Sequence, residues 1–336
     1  MLPLPIFDYH RPRTLDEALA LLASLGPKAQ ILAGGTDLLP NMKQGLFEPE
    51  HVVSIARLEE LRGISLDTAG GALVIGAGMK LAEIADSLLA QRLAPALAEA
   101  AGAVGGPHHR TMGTLGGNIC LDTRCRYYNQ TYFWRKALGY CLKKDGTVCH
   151  VVKGGAKCVA AASNDTAPAL IALDAEIRIL GRGGERRVPA RDFYTADGIK
   201  NTVLEPGEIV VRVAVPVISG RRSAFEKLRR RGAIDFPLLS VAARVDAQAP
   251  QEASPASRSS LGAVDVVVSA LGARPRRLRA AAKVAPGTSP EHLAEALAQA
   301  AFAECKPLSN LDDEAEWRRE MVPVVVEKAV RRALGV

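Results

Sequence analysis

The residues with the most chemistry to offer are six cysteines, and they are unevenly placed. Cys120, Cys125, Cys141, Cys149 and Cys158 fall within 39 residues, and only Cys305 stands apart. Cys125, Cys141, Cys149 and Cys158 are separated by 15, 7 and 8 residues. Four thiolates can hold zinc tetrahedrally or anchor an iron–sulfur cube. Zinc ribbons present close C-x2-4-C pairs, and the one short pair here is Cys120 with Cys125, so the wide spacing weakens zinc without removing it. Disulfides are the least favoured reading, because the opening MLPLPIFDYHRPRT lacks the blocks of a secretion signal and a reducing compartment is expected. Unligated buried cysteines are ordinary singly, but not five together in a polar, lysine-rich stretch. A metal or cluster site is the favoured reading. Cys120 is expected to pack without ligating, and Cys305 to lie in the core.

The same window carries Tyr127, Tyr128, Tyr132, Phe133, Trp134 and Tyr140, six of the fifteen aromatics. It also sets eight basic side chains (Arg124, Arg126, Arg135, Lys136, Lys143, Lys144, Lys153, Lys157) against Asp122 and Asp145, a net +6 close to the whole chain's +7. A charge run is usually a solvated face. The sharper reading is that it steers an acidic redox protein and offsets the charge of a cluster.

Two glycine loops come next. Ala33-Gly34-Gly35-Thr36-Asp37-Leu38 and Thr114-Leu115-Gly116-Gly117-Asn118 could each cradle a diphosphate, since glycine permits close approach and positive φ. Either alone reads as an ordinary turn. Neither is G-x-G-x-x-G or a P-loop, so a nicotinamide Rossmann site is not supported. Together, flanking unlike units, they raise the case for one extended dinucleotide bridging them. No Ser-His-Asp order, H-E-x-x-H or telling carboxylate pair is found, and no catalytic residue is assigned to this chain.

The elements that must position these residues follow from periodicity and caps. A helix is expected from about 14 to 25, opened by Thr14-Leu-Asp-Glu17 and stopped by Gly26-Pro27. A strand over 29–33 leads into the first glycine loop, and 38–42 begins another helix. A second unit is expected from near Val52, with a strand at 73–76, apolar periodicity over 81–101 and strands at 175–180 and 187–190, closing near Pro216. Beyond it, strands are expected at 223–228, 239–245 and 264–271. Helices follow, one opened by Ser289-Pro290, another over 312–334 that Pro323 should kink or divide. The stretch DAQAPQEASPASRSS (246–260) reads as a flexible surface loop. Strands and helices without strict alternation favour α+β.

At 336 residues the chain suggests two or three domains, and 48% apolar with 24% charged residues excludes collagen, disorder and a small disulfide scaffold. No apolar run reaches a membrane span, and a cytoplasmic location without membrane or nucleic-acid partners is expected.

With ILAGGTDLLPNMKQG, TLGGNIC, the insert TRCRYYNQTYFWRKALGYCLKKDGTVCHVVKGGAKC, NDTAPAL and AFEKLRRRGAIDFP in view, nearly the whole chain resembles the FAD-binding medium subunits of the molybdenum hydroxylase (xanthine dehydrogenase) family. The rarer cysteine insert points to its 4-hydroxybenzoyl-CoA reductase branch. The resemblance implies an α+β, vanillyl-alcohol-oxidase-like FAD-binding fold of two subdomains (1–55 and 56–220, with the insert at about 119–162). A CO dehydrogenase flavoprotein-type domain over 221–336 would complete the chain. It implies FAD contacts from Ile31, Leu32, Ala33, Gly34, Gly35, Thr36, Asp37 and Leu38, and from Thr114, Leu115, Gly116, Gly117 and Asn118. Asp165, the ring contacts Val104 and Val210, and a basic residue near the flavin, Lys227, complete that set; a solvated surface lysine is the default for Lys227. His108-His109-Arg110 resembles a loop near the flavin. Cys125, Cys141, Cys149 and Cys158 would carry a 4Fe-4S cluster, buried by the insert's aromatics.

The implied role is electron relay from ferredoxin through 4Fe-4S and FAD toward the 2Fe-2S clusters of a small subunit and the molybdenum of a large one, in a dimer of heterotrimers. There a phenolic hydroxyl would be removed reductively from an aromatic CoA thioester. Two other readings stay open: the FAD/4Fe-4S medium subunit of an aldehyde or purine oxidoreductase, and a zinc-stapled nucleic-acid-binding module.

Overall fold

The computed structural model describes residues 3–247, 261–283, 288–312 and 315–336. Among these, the strands form three separate sheets. The first part of the chain runs β1 (Asp8–His10), α1 (Leu15–Leu25), β2 (Ala29–Leu32), α2 (Leu38–Lys43) and β3 (His51–Ser54). Thr14 caps α1, its hydroxyl accepting from the Glu17 N–H, while the Glu17 carboxylate accepts from the Arg13 N–H instead of closing a full capping box. The sheet is parallel in the order β1-β3-β2, with Val52 paired to both Tyr9 and Gln30. Val52 therefore lies in the middle of the first sheet and does not open a second unit.

The chain continues through β4 (Ile64–Asp67), β5 (Ala72–Gly76), α3 (Leu81–Ala85), α4 (Leu88–Leu93), α5 (Pro95–Ala103), α6 (Pro107–Met112), α7 (Leu115–Ile119), α8 (Tyr132–Leu138), α9 (Thr166–Ala172), β6 (Glu176–Gly181), β7 (Gly184–Pro189), α10 (Ala190–Phe193) and β8 (Ile209–Pro216). The expected periodic stretch over 81–101 is three short helices, because Ser87 caps a new one through the Ala90 N–H and Pro95 starts another. The five strands pair antiparallel in the order β4-β5-β8-β6-β7.

Strand β8 serves two cores. Its pairing with β6 slips at Arg178/Ile179, leaving Val211 as an extra residue. A bulge of this kind reverses which side chains face which side. Ile209 and Val211 accordingly pack with Ala18, Leu22 and Val53 of the first part, while Val213 and Val215 pack with the helices of the second.

The last part is β9 (Arg222–Leu228), β10 (Leu239–Ala247), β11 (Leu261–Ser269), β12 (Arg276–Arg277), α11 (Pro290–Glu304) and α12 (Ala315–Leu334), an antiparallel sheet in the order β12-β11-β10-β9 with α12 against β9 and β10. The helix that Pro323 is expected to kink or divide runs undivided through it. Packing against the sheet outweighs the backbone hydrogen bond that proline forfeits. Of the expected loop at 246–260, Asp246 and Ala247 extend β10, and the rest lies outside the described residues.

The insert is anchored at both ends of the molecule. Arg135, 1% exposed, donates from Nη2 to the Gly45 carbonyl at 3.0 Å. On the other side the Arg126 N–H donates to Asn310 O at 2.8 Å, and Asn310 Nδ2 donates to Val159 O at 2.7 Å. The exit segment is held by Ala162 N–H to Gly272 O and Ala270 N–H to Ala162 O, at 2.8 and 3.1 Å. What read as a separate insert is wedged between the first and last parts of the chain.

Candidate functional site: a cleft and an adjoining thiol pocket

Both glycine loops open into one cleft of about 1010 Å³ between the first two sheets, at the top of the range of roughly 300–1,000 Å³ for small-molecule sites. Strand β2 delivers Gly34 and Gly35 to its wall. Gly35 has φ +73°, a conformation that favours glycine. A methyl group on Gly34 would lie 2.1 Å from the Met112 carbonyl oxygen, so this position admits no side chain. On the opposite wall the Thr114 hydroxyl caps α7 by accepting from the Gly117 N–H at 3.1 Å.

Of the residues expected to hold the cofactor, Ile31, Ala33, Gly34, Gly35, Thr36, Asp37, Leu38, Val104, Thr114, Gly116, Gly117, Asn118, Asp165 and Val210 line the cleft. Three do not. Leu32 is half-buried and would meet a methyl group on Gly35 at 3.3 Å. Leu115 is fully buried in the core of the second part. Lys227 is not a solvated lysine: its side chain is 3% exposed and its ammonium lies 2.7 Å from Asp165 Oδ2, also donating to the carbonyls of Ala103 and Asp235. It holds Asp165, and Asp165 faces the cleft.

The other oxygen of that carboxylate, Oδ1, is buried without a hydrogen-bond partner. An orphaned acceptor on a cleft wall fits a ligand that brings a donor. Burial pushes the Asp165 carboxyl up to about 6, outweighing the attraction of Lys227. Asp37 is likewise pushed up to about 6, by burial and by the neighbouring Asp122 carboxylate, against Arg124 and hydrogen bonds from the Asp122 backbone and Asn41.

Among the lining residues, Arg124 carries no local signal in the sequence beyond its charge. Arg124 lies 3.8 Å from the centre of the Phe236 ring, joining the cleft mouth to the last part of the chain. His109 lines the cleft and accepts at Nδ1 from the Gly106 N–H at 3.3 Å, whereas Arg110 turns back to the Val104 carbonyl. Cys120, expected to pack without ligating, lines the cleft, where burial pushes its thiol up to about 12. Cys305 caps the end of α11 and is buried in the last part's core.

Cys125, Cys141, Cys149 and Cys158 line a single small pocket. Backbone N–H groups point at two of the sulfurs, Val152 to Cys149 at 3.5 Å and Ala160 to Cys158 at 3.4 Å. Burial pushes the Cys125 thiol up to about 12, and raises Cys158 against the Ala160 N–H and the Lys143 charge. Such thiols ionise when a bound cation compensates them. Among the described residues, no three His, Cys, Asp or Glu side chains are grouped to hold one metal ion, while the four cysteines share the lining of one pocket. The insert's aromatics do not all shield this pocket: Tyr127 and Tyr128 line it, while Phe133 (72% exposed) and Trp134 (42%) face outward.

Residues 5–218 match the FAD binding domain in molybdopterin dehydrogenase, and residues 223–333 match the CO dehydrogenase flavoprotein C-terminal domain. The chain belongs to this family of FAD-binding medium subunits. The chain is therefore an FAD-binding subunit, with an α+β fold of FAD-binding and CO dehydrogenase flavoprotein-type parts. The medium subunit is 31% identical over 334 residues to the carbon monoxide dehydrogenase medium chain of Hydrogenophaga pseudoflava, covering 99% of this chain and 98% of that one. It is 34% identical over 250 residues to the aldehyde oxidoreductase FAD-binding subunit PaoB of Escherichia coli, covering 70% and 76%. In structure it matches carbon monoxide dehydrogenase from Hydrogenophaga pseudoflava with a TM-score of 0.77 and 30% identity, covering 100% of this chain and 99% of that one.

Proposed function

We propose that this medium subunit carries a 4Fe-4S cluster on Cys125, Cys141, Cys149 and Cys158 beside its FAD. Its role is to relay electrons within a molybdenum-dependent 4-hydroxybenzoyl-CoA reductase. The observation that carries the reading is that one pocket, adjoining the FAD cleft, is lined by all four insert cysteines. The backbone N–H groups aimed at two of the sulfurs suit an iron–sulfur cluster, whose potential such hydrogen bonds tune.

When bound, flavin takes up electrons singly and stores two, and an iron–sulfur cluster passes one at a time. This chain's own residues do the holding. The Gly34–Leu38 segment offers backbone N–H groups to the diphosphate, and Thr114–Asn118, whose N–H groups from 115 to 118 are bonded within the protein, supplies a facing wall without side chains at Gly116 and Gly117. Asp165, fixed by Lys227, offers its unpartnered oxygen to a cofactor donor. Val104 and Val210 supply apolar walls. FAD would thus sit between portions 1–55 and 56–220, with portion 221–336 closing the cleft mouth through Phe236.

On this reading its partners are a large molybdenum-cofactor subunit and a small 2Fe-2S subunit, in a dimer of heterotrimers; relatives named as medium chains and FAD-binding subunits support its being one subunit of several. Lys153 and Lys157 belong to the insert's basic excess, which suits an acidic electron donor such as ferredoxin. A cytoplasmic setting fits six cysteines free of disulfides, and no helix is long and apolar enough to cross a membrane among the described residues. The 34% identity to an aldehyde oxidoreductase subunit favours a second reading, the same relay serving aldehyde oxidation.

Iron, acid-labile sulfide and FAD assays with a visible spectrum test the cluster, and Cys141→Ser should lose iron and sulfide. Full retention by that variant refutes the ligand set. Turnover of the assembled enzyme with 4-hydroxybenzoyl-CoA against aromatic aldehydes separates the two substrates.

A further inference from the structure

The cleft and the thiol pocket share a thin wall, and one side chain fastens it. Lys143 lines the pocket, and Asp122 and Ile199 line the cleft. The Lys143 side chain is 6% exposed, with its Nζ 2.6 Å from Asp122 Oδ1, 2.6 Å from Thr123 Oγ1 and 2.7 Å from the Gly198 carbonyl. It also lies 4.6 Å from the centre of the Tyr128 ring, whose hydroxyl donates to Asp122 Oδ2. Gly198 is the wall's inner course: a methyl group there would meet both Cys158 Sγ and Thr123 Oγ1 at 2.9 Å.

An ammonium group sealed from water acts on nearby charge far more strongly than one on the surface. A redox group becomes more negative on taking up an electron, so a fixed cation on the pocket side favours its reduced form, and the Asp122 carboxylate opposes this from the cleft side. We infer that Lys143 is a positioning residue that sets the reduction potential of the group held by the four cysteines and, through Asp122, ties that potential to the FAD cleft. The inference rests on the cluster assigned under the proposed function.

The test uses the assembled holoenzyme. Iron and sulfide in the wild type decide the cluster assignment first, independently of any variant. EPR-monitored redox titration then reads the cluster midpoint in Lys143→Met, Lys143→Arg and Asp122→Asn, each assayed for FAD, iron and sulfide. Lys143→Met should keep its cofactors and shift the cluster equilibrium about tenfold toward the oxidised form, about 59 mV for one electron. Lys143→Arg should restore most of that. Asp122→Asn, which keeps the cation and an amide oxygen in place, should move the midpoint the opposite way. If Lys143→Met does not load its cofactors, the Asp122→Asn shift decides. A loaded Lys143→Met with the wild-type midpoint overturns the inference, as does Asp122→Asn with an unmoved or more negative one. A fastener without electrostatic influence would alter loading or thermal stability and leave the midpoint of the loaded protein in place.

Discussion

Lys227 places its ammonium 2.7 Å from Asp165 Oδ2 with both side chains almost sealed from water, at 3% and 4% exposure. Removing one partner of such a pair strands a buried charge, which costs about 3–5 kcal/mol. Lys227→Met should therefore lower the melting temperature and the FAD content together. The double variant Lys227→Met/Asp165→Asn should recover most of the melting temperature. A double variant as unstable as the single one would show that the pair is not the cause.

Asp37 carries a folded-state value of about 6 against an ordinary 3.8. Between those values the folded chain holds a proton that the unfolded chain releases, so this group's contribution to stability falls as pH rises through the window. FAD affinity should follow the same sign: the diphosphate meets a neutral acid below about pH 6 and a carboxylate above it. Flavin-fluorescence titration should show FAD binding weakening several-fold from about pH 5 to pH 7, and Asp37→Asn should flatten that slope. A variant with the wild-type slope would assign the pH dependence elsewhere.

Gly34→Ala sets a methyl group 2.1 Å from the Met112 oxygen, backbone against backbone. Overpacking of this kind costs about 1–3 kcal/mol, and the shifted loop should lose FAD. Gly183→Ala, with open space around the new methyl group, is the matched control and should retain both FAD and melting temperature. Equal FAD content in the two variants would contradict the close approach.

Gly198→Ala should separate the two cofactors. Its methyl group meets Cys158 Sγ and Thr123 Oγ1, while the glycine loops of the cleft are untouched. Iron and sulfide should fall by more than half with FAD near wild type, measured on the same purified sample. Loss of FAD with retained iron would reverse the assignment of the two sites.

Much of this arrangement is legible in the sequence wherever the signal is local. Thr14 and Ser289 announce their helices because a capping hydroxyl acts on its own neighbours. The glycine loops are legible for the same reason, and the cysteines because five of them crowd into 39 residues. Distant pairing decides the rest. Val52 reads as the start of a unit until β1 and β2 claim it from both sides. The run Ile209–Pro216 shows apolar character but not the bulge that divides it between two cores. Lys227 reads as a surface residue because its partner Asp165 is 62 positions away. Arg124 shows only as one charge among many, since its stacking partner Phe236 comes from the far part of the chain.

The ties from Arg126 and Val159 to Asn310 bear on the timing of biosynthesis. A ribosome delivers the cysteines well before it delivers residue 310, so during synthesis the nascent thiol-bearing segment lacks its back support. Machinery that loaded the proposed cluster would meet a finished cradle only after nearly all of the polypeptide has emerged, and products truncated before residue 310 would lack these ties.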